Sequence, residues 1–588
     1  MTTKTSSMTT AFTAIALYWI ILCVLAFVSA LSGIFLPAFF FLYLIIGAGT
    51  FFSTHTHALR KALMPLLPMA LPFIIVIALW SFFSTPTVFT GRDQGSLSNA
   101  AIMLAQDHSL ATHTSVSDTF FRYYGEGKAL NFPGFFYNHN GALVTQFPVP
   151  YIAWLALFYG VFGLSGFTIA NGILFFLFGY SFLLLLKEIV SRLTHNTTLQ
   201  QQAQYYGIFF LLISFPFMWF FRHTLSENLA QFLIFFLLLQ TMLFVRAVDK
   251  TFAPLHYWSI ILTGTILTFT RIEGIAIFAF TLLALLIHPH TYIYLRTRIV
   301  THLLTPAIGL LFAFAVAFDQ MTNFYKTIIK ALLPSSHTAV ATKTTIGAFL
   351  THYTEYLSYG ILPFLIGGAV GTIILWRKKR YEVLIPFFIL TPTLIYLISP
   401  HISADAPWML RRMTFSLFPI GILYTVVLLS TIKQHLRYAL ITLFTVLALP
   451  ATLTFFRFYE NANLLKQTQT LAQQFTDTDL ILIDAGVSGN RFAMLAGPFR
   501  TLHHKNAAYI FNPQDITRIN FNNFTKIFLI VPHADATRYT DILGDRLHPL
   551  TTFTITTSRL THLPHTRLWH FPTRGTITTN NIIYTVTH

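Results

Sequence analysis

One carboxylate lies about ten residues beyond a hydrophobic segment and near the start of a polar loop of about 65 residues. It is Asp93, in Gly91-Arg92-Asp93-Gln94-Gly95. Ionisable residues this close to a membrane segment are costly to desolvate and are candidates for function. A carboxylate in such a position can accept a proton from a bound hydroxyl group. The alternative is a loop or helix-capping carboxylate that backbone N–H groups satisfy.

Further charged side chains occur where apolar segments begin or end and in a second long loop, and they are candidates for binding a charged substrate. The basic ones are Arg271, Lys326, Lys330, Arg411 and Arg412, and the acidic ones are Glu227 and Glu273. The arginine fork suits phosphate oxygens. Arg411 and Arg412 have the alternative of anchoring the chain at lipid headgroups. Glu227 has the alternative of stabilising a helix N-terminus.

The composition is that of an integral membrane protein. Of the 588 residues, 54% are hydrophobic and only 10% are charged, whereas a soluble domain has roughly 25% charged residues. The net charge of +17 comes largely from basic residues in short loops between apolar segments. This is a topology signal and excludes nucleic acid as a partner. The single cysteine, Cys23, excludes an intrachain disulfide.

Thirteen apolar segments are long enough to cross a hydrocarbon core of roughly 30 Å. They cover residues 10–30, 34–54, 62–84, 168–190, 204–221, 226–247, 256–270, 272–290, 300–318, 356–376, 383–399, 411–431 and 437–457. A further segment, residues 151–162, is short and follows Pro148 and Pro150. It is either a span or a helix at the membrane interface.

The positions of basic residues choose between these two topologies. The clusters that should face the cytoplasm are Arg60/Lys61, Lys187/Arg192, Arg246/Lys250, Arg296/Arg298, Arg377 to Arg380, and Lys433/Arg437. All of them face inward together with Lys4 only if residues 151–162 do not cross. The sequence therefore predicts thirteen crossings, a cytoplasmic N-terminus and an external C-terminus.

In this topology the ionisable candidates all lie on the outer face, with the loops 85–150 and 319–355. Basic residues there oppose the orientation bias, and phosphate binding explains them. For the lysines, the alternative is that long loops ignore the bias.

Hydropathy falls after Tyr459, where a soluble segment of about 129 residues begins. Asp479–Asp484 and Lys526–Pro532 have the pattern of short buried strands, and the tail from Thr551 resembles further strands. Residues 485–491 are interpreted as a strand-to-helix turn, and the alternative is a phosphate-binding loop, although the segment matches neither common glycine fingerprint. We expect four parts: N-terminal transmembrane helices (1–84), a first external loop with interfacial helices (85–163), a transmembrane bundle (164–458) and a small external α/β domain (459–588).

The chain resembles the GT-C class of membrane glycosyltransferases, in particular the branch of protein O-mannosyltransferases and lipid A aminoarabinose transferases (glycosyltransferase family 39-like). The resemblance covers roughly residues 60–420. It rests on Asp93-Gln94-Gly95 with the helix-like Asn99–Ala105, on the Pro-rich 141–151, on Ser226-Glu227 and on Arg271-Ile-Glu-Gly274. Two features differ from relatives: three hydrophobic segments precede the acidic loop where relatives usually have one, and Gln94 follows Asp93 where a second acid is usual.

The resemblance implies transfer of a sugar from a polyprenyl-phosphate carrier to a lipid, glycan or protein acceptor on the outer face of the cell membrane. An inverting transfer needs a general base, which implies that role for Asp93. The leaving lipid phosphate needs positive charge, for which Arg411, Arg412, Arg271, Lys326 and Lys330 are the candidates. Glu227, Glu273 and His139 are the candidates for positioning substrate, and for the lone loop histidine a structural role is the alternative.

Metal-dependent relatives carry paired acids near the end of the first helix, and Gln94 in that place argues against a metal. The histidines are scattered and show no His-x-x-x-His pair on a convincing helix, so zinc is not supported. We therefore expect neither a metal nor another cofactor.

Two other functions stay open. One is a transporter or flippase for a lipid-linked sugar, which would place charges near the middle of the membrane. The other is a non-catalytic scaffold with an external binding domain.

Overall fold

The computed structural model describes residues 2–54, 67–247, 251–298, 300–332, 353, 355–398, 407–561, 571 and 573–587. Helices dominate up to residue 472. The first seven described helices are α1 (Thr2–Leu31), α2 (Ala38–Thr54), α3 (Leu67–Phe82), α4 (Asp93–Asp107), α5 (Ser115–Tyr124), α6 (Val149–Phe162) and α7 (Ser165–Leu193). The next seven are α8 (Thr197–Ile213), α9 (Phe215–Phe220), α10 (Ser226–Ala247), α11 (Ala253–Thr270), α12 (Ile272–Ile287), α13 (Pro289–Arg296) and α14 (Thr305–Leu332).

A second group of helices completes the bundle and leads into the C-terminal domain. These are α15 (Leu362–Arg377), α16 (Ile385–Leu390), α17 (Ile395–Ile398), α18 (Arg411–Thr414), α19 (Leu417–Thr431), α20 (Gln434–Phe455) and α21 (Leu464–Ala472).

Within the described ranges, five helical segments are long and apolar enough to cross a membrane: Met8–Leu31, Ser165–Leu193, Ser226–Ala247, Val300–Phe318 and Gln434–Phe455. The pair α12 and α13, bent by 94°, adds a sixth if it counts as one span. Shorter apolar helices include α3, α6, α15 and α19. The chain is thus a polytopic α-helical membrane protein, and the predicted count of thirteen crossings is not confirmed.

Proline and local breaks explain why several predicted spans are fragmented. The segment predicted at 204–221 divides at Ser214 into α8 and α9, and Pro216 lies in the first turn of α9. The segment predicted at 383–399 becomes a succession of 3₁₀ and short α-helical turns, with Pro386 and Pro392 at the starts of two of them. Proline lacks the N–H that would continue a helix and clashes with the preceding turn. Apolar composition alone does not reveal these breaks.

Two helices form the centre of the bundle. The apolar parts of α7 and α10 are 83% and 89% buried within the protein, compared with 28% for α20. A helix that is apolar all round and buried all round belongs to an interior. Aromatic rings fill the contacts there: Phe178 of α7 lies edge-on to Phe235 of α10 at 5.2 Å between ring centroids.

The predicted external loop contains an ordered subdomain. Helix α4 includes the helix-like Asn99–Ala105 of the sequence, as expected. Four short strands, β1 (Ala111–Thr112), β2 (Gly127–Lys128), β3 (Phe135–Tyr137) and β4 (Leu143–Thr145), form an antiparallel sheet in the order β1-β4-β3-β2. Strands of two or three residues leave no alternating pattern to detect, so the sequence did not predict this sheet.

Helix α6 is the doubtful segment of the sequence, and it is buried in the protein. Residues Val149 to Phe158 are all buried. Tyr151 donates a hydrogen bond to Asn171 of α7 at 2.8 Å, and Trp154 donates to the Ala170 carbonyl at 3.4 Å. The helix therefore packs antiparallel to the first turns of α7.

The C-terminal domain is a five-stranded sheet with short helices. Its strands are β5 (Leu480–Ile483), β6 (Asn506–Tyr509), β7 (Ile527–Pro532), β8 (Leu547–Thr561) and β9 (Thr573–Val586), and its helices are α22 (Ala496–Thr501), α23 (Asp515–Arg518) and α24 (Thr537–Leu543). The order is β6-β5-β7-β9-β8, with β5, β6 and β7 parallel and β8 and β9 antiparallel. The strands predicted around residues 479–484 and 526–532 and in the tail are confirmed.

Candidate functional site

Asp93 is the first residue of α4, and its side chain turns toward the membrane bundle. The preceding residue, Arg92, is extended, with φ −123° and ψ 162°. The Asp93 carboxylate forms an ion pair with Arg411, whose Nη1 lies 2.6 Å from Oδ2. A carboxylate in the first turn also gains from the helix dipole. Its ion-pair partner, however, lies more than 300 residues away in the sequence and outside its own helix. This argues against a purely local capping role.

Arg411 begins a chain of alternating charges. Its Nε lies 3.8 Å from Oε1 of Glu227. The same Glu227 oxygen lies 2.9 Å from Nη1 of Arg271. Arg271 in turn holds Glu273 in a two-point contact, at 2.9 Å from Nη2 and 3.0 Å from Nε. We call Asp93, Arg411, Glu227, Arg271 and Glu273 the ion chain.

Each member of the ion chain lies at the start of a helix or at a junction between two. Glu227 is in the first turn of α10, Glu273 is in the first turn of α12, and Arg271 links α11 to α12. The exposed fraction of the side chain rises from 6% for Glu227 to 26% for Arg411 and 40% for Asp93. The chain therefore has a buried end made of structural ion pairs and an open end at which a ligand can compete.

Aromatic side chains line the buried end. The Arg271 guanidinium lies over the Phe415 ring at 4.6 Å. Tyr396 donates a hydrogen bond to Glu273. The Arg412 guanidinium lies over the Tyr396 ring at 5.7 Å, which brings a third arginine beside the chain. Three carboxylates and three guanidiniums thus meet at one place. Tyr396 was not predicted, since nothing in its local sequence distinguishes it from other tyrosines.

A series of hydroxyl groups fixes the first turns of α4. Thr87 and Ser98 share a hydrogen bond of 3.1 Å, and Ser98 and Thr224 share one of 2.8 Å. Thr224 donates to the backbone carbonyl of Gln94 at 2.9 Å. All of these groups are buried, so their hydrogen bonds fix the orientation of the helix that carries Asp93.

The C-terminal domain contacts the segment just before Asp93. Thr90 and Met494 exchange backbone hydrogen bonds of 3.2 and 2.8 Å, forming an isolated antiparallel bridge. Arg92 lies between the rings of Trp408 and Phe492, at 4.7 and 4.9 Å. Gly91 has φ +108°, and a Cβ there would lie 2.9 Å from the Arg491 carbonyl, so the close approach requires glycine. This contact joins the C-terminal domain to the open end of the ion chain.

The remaining predicted site residues lie elsewhere. His139 is an exposed residue in the turn between β3 and β4, and no described contact joins it to the ion chain. Lys326 and Lys330 belong to α14, in a stretch whose side chains fall outside the described part of the structure. Among the described residues, no three His, Cys, Asp or Glu side chains come together to hold a metal ion.

Arg222 has a structural role that the sequence did not predict. Its guanidinium is buried and donates hydrogen bonds to the carbonyls of Phe83, Phe455, Phe456 and Phe458. Burial lowers its pKa to about 10, so the group stays charged at neutral pH. Backbone carbonyls have no sequence signature that would identify them as the partners of an arginine.

The neighbouring His223 predicts a pH dependence of stability. Its buried ring lies between Trp219 and Trp408, at 5.1 and 4.6 Å. Burial lowers its pKa well below the ordinary 6.5, and the positive charges of Arg222 and Arg92 lower it further. Below about pH 6.5 this histidine is therefore protonated in the unfolded chain and stays neutral in the folded chain. Because the unfolded state binds more protons, the free energy of unfolding falls as the pH drops below about 6.5, by up to about 1.4 kcal/mol per pH unit.

We expect His223→Phe to remove this contribution, because phenylalanine fills the same aromatic site and does not titrate. The measurement is the difference in thermal unfolding between about pH 7.5 and about pH 5.5 for both proteins, which share all other titrating groups. Equal losses in the two proteins would show that His223 does not carry the effect.

Comparisons with known proteins identify the fold. No protein-family model matches the sequence, and no curated protein matches it. Among solved structures, ArnT from Cupriavidus metallidurans in the apo state matches with a TM-score of 0.51 and 11% identity, over 88% of this chain and 97% of that one. ArnT from the same organism bound to undecaprenyl phosphate matches with a TM-score of 0.49 and 10% identity, over 89% and 98%. The predicted resemblance is thus confirmed as a likeness of fold: the chain is folded like ArnT, a lipid A aminoarabinose transferase of the GT-C class.

Proposed function

We propose that this protein is a membrane glycosyltransferase that moves a sugar from a polyprenyl-phosphate-linked donor to an acceptor in the cell envelope. The observation that carries the proposal is the ion chain, in which a partly exposed carboxylate and two or three arginines meet where several helices of a GT-C-like bundle begin. A transfer from a lipid phosphate requires both: a base for the acceptor and positive charge for the leaving group.

Asp93 is the proposed general base. It takes the proton of the acceptor hydroxyl as that oxygen attacks the anomeric carbon, and the transfer inverts the configuration there. The exposure of the Asp93 side chain, 40%, leaves room for a ligand at its free carboxylate oxygen.

Arg411 and Arg412 are the proposed ligands of the donor phosphate. Arg411 is bound to Asp93 at 2.6 Å, and a phosphate carries more charge than a carboxylate. When the phosphate binds Arg411, it competes with Asp93 for the same guanidinium and leaves the carboxylate available as a base. Donor binding therefore activates the base at the moment the sugar arrives, and an empty site keeps the base neutralised.

Glu227, Arg271 and Glu273 have the proposed role of positioning. Arg271 is fixed by two carboxylates and by the Phe415 ring, so Glu227 has a rigid partner on one side and Arg411 on the other.

The roles predicted for Lys326 and Lys330 as further phosphate ligands, and for His139 in positioning, stay predictions. The acceptor is a lipid, glycan or protein, the N-terminus is cytoplasmic, and the C-terminal domain lies on the outer side of the inner or plasma membrane.

The test is sugar transfer from a panel of labelled polyprenyl-phospho-sugars in membranes that contain this protein and an extract of envelope acceptors. We expect transfer from one donor that Arg411→Ala and Arg412→Ala together reduce by roughly a hundredfold or more, the scale seen when one group stabilising the developing charge is removed. Movement of the labelled lipid between leaflets without transfer would indicate the flippase instead.

Transfer should also survive chelation. Each of Glu227 and Glu273 is bound to Arg271, and phosphate charge in this proposal is neutralised by arginines and not by a divalent cation. We expect the rate to be unchanged within about twofold by an excess of chelator, when added Mg²⁺ or Mn²⁺ also fails to raise it. A loss of activity that a divalent cation restores would contradict the metal-independent mechanism.

A further inference from the structure

A second charged pocket lies at the other end of α4. Its volume is about 190 Å³, and its walls come from the end of α4, the start of α5, α22 and β6. Helix α4 has 15 residues, which separates Asp93 from Asp107 by roughly 20 Å at 1.5 Å per residue. The pocket is therefore separate from the ion chain. One water molecule occupies roughly 30 Å³ in the liquid, so the pocket volume is about six times larger. This is enough room for a tetrahedral anion with some water.

Arg500 is the central feature of this pocket. Its guanidinium lies over the rings of Phe132 and Phe135, at 4.9 and 5.3 Å. Its Nη2 donates to the Met103 sulfur at 3.6 Å, a weak acceptor, and its buried Nε has no hydrogen-bond partner. Among the described residues, no carboxylate oxygen lies within 4.0 Å of it. The guanidinium therefore has no carboxylate in direct contact to offset its desolvation.

The other pocket residues add positive potential. His504 and Lys505 lie at its edge, and the N-terminal turn of the ten-residue α5 contributes Thr114 and Val116 to the wall. A helix N-terminus attracts anions. Lys505 also forms an ion pair with Asp477, in which its Nζ lies 2.5 Å from Oδ1. Asp107 is the only acidic residue in the wall of this described pocket; burial raises its pKa, although the charge of Arg500 opposes the rise.

The pocket also lies next to the turn that joins the first two apolar helices. The His108 carbonyl, directly after α4, accepts a hydrogen bond of 3.3 Å from the backbone N–H of Phe35. Phe35 lies in the turn between α1 and α2, and α1 is one of the helices long enough to span the membrane. A group held by Arg500 can therefore belong either to a lipid headgroup or to a small molecule in solution.

We propose that the pocket around Arg500 is a phosphate-binding site, distinct from the donor site and independent of the transfer chemistry at Asp93. Phosphate satisfies the guanidinium with paired hydrogen bonds and accepts further ones from Lys505 and His504. The site would hold a phosphorylated lipid or acceptor beside the membrane while its reacting end lies elsewhere.

The test uses the full-length protein and two probes. In detergent, binding of radiolabelled inorganic phosphate is measured by equilibrium dialysis; in nanodiscs of phosphatidylcholine with and without phosphatidic acid, retained lipid is counted by native mass spectrometry. We expect saturable binding in at least one arm, and the arm that binds identifies the source of the phosphate. Arg500→Gln should weaken it roughly tenfold to a hundredfold, as expected for a hydrogen-bonded buried charge.

Asp107→Asn provides a test that does not depend on the folding of an Arg500 variant. Removing the only acidic group in the wall should tighten binding severalfold, whereas damage to the structure would weaken it. Lys505→Gln should weaken binding, and the exposed Lys466→Gln on α21 should leave it unchanged. Absence of binding in both arms, or the same direction of change for Asp107→Asn and Lys505→Gln, would overturn the proposal.

Discussion

Asp93→Asn is expected to abolish sugar transfer and to leave the protein folded. The asparagine has the same shape but cannot take the acceptor's proton, and general-base catalysis contributes roughly a hundredfold to ten-thousandfold. The loss should appear in kcat, because the proposed donor ligands Arg411 and Arg412 are retained in this variant. The ion pair with Arg411 is partly exposed, and such pairs contribute at most about 1 kcal/mol to stability.

The matched control for this variant is Asp118→Asn. Asp118 belongs to the same external region, on α5, and its carboxylate pairs with His113 at 3.0 Å in an exposed position. It should retain full activity. If Asp93→Asn keeps more than about a tenth of the wild-type kcat under saturating donor, Asp93 is not the base, since even the lower bound of the expected effect would be missing.

Arg222→Met is expected to cost about 3–5 kcal/mol of stability, because it leaves several buried backbone carbonyls without a hydrogen-bond donor. The guanidinium donates hydrogen bonds to backbone carbonyls at and just beyond the C-terminal end of α20, and to one just after α3. These are the carbonyls of Phe455, Phe456, Phe458 and Phe83. The last carbonyls of a helix have no partner within it, and each buried one left unsatisfied costs about 1–3 kcal/mol. Methionine fills the volume but donates no hydrogen bond.

The measurement is thermal or denaturant unfolding in detergent, followed by tryptophan fluorescence. Trp219, whose ring lies 5.5 Å from the Arg222 guanidinium, is a local reporter. Arg222→Lys should lie between wild type and Arg222→Met, because an ammonium cannot reach carbonyls from two segments at once. The exposed Arg457→Met, close by in sequence, should have almost no effect. A similar small effect for Arg222→Met would show that its carbonyl contacts are dispensable.

The sequence predicted the residues of the ion chain better than it predicted the helices that position them. Asp93, Glu227, Arg271, Glu273 and Arg411 were chosen because charge at the end of an apolar segment needs an explanation, and the structure brings these five together. Their pairing was not predictable. The order Asp93–Arg411–Glu227–Arg271–Glu273 along the ion chain is not the order in the sequence, and only the packing of α4, α10, α12 and α18 creates it.

Other parts of the structure leave no local signal. Hydropathy measures how apolar a segment is and not whether its backbone continues, so the break at Ser214 and the 3₁₀ turns around Pro386 shortened predicted spans. The sheet of the external loop has strands too short for periodicity. By contrast, β5 and β7 were predictable, because a parallel strand buried on both faces must be apolar at every position.

The bridge between Thr90 and Met494 has a consequence for the biogenesis of this protein. The segment that precedes Asp93 leaves the ribosome about 400 residues (494 − 90 = 404) before Met494, the residue that pairs with it. At roughly 5–20 residues per second, the delay is about 20–80 s. During that interval the carboxylate is present but its backbone support is not. A nascent chain therefore acquires a finished site only after most of its C-terminal domain has been synthesised and has docked.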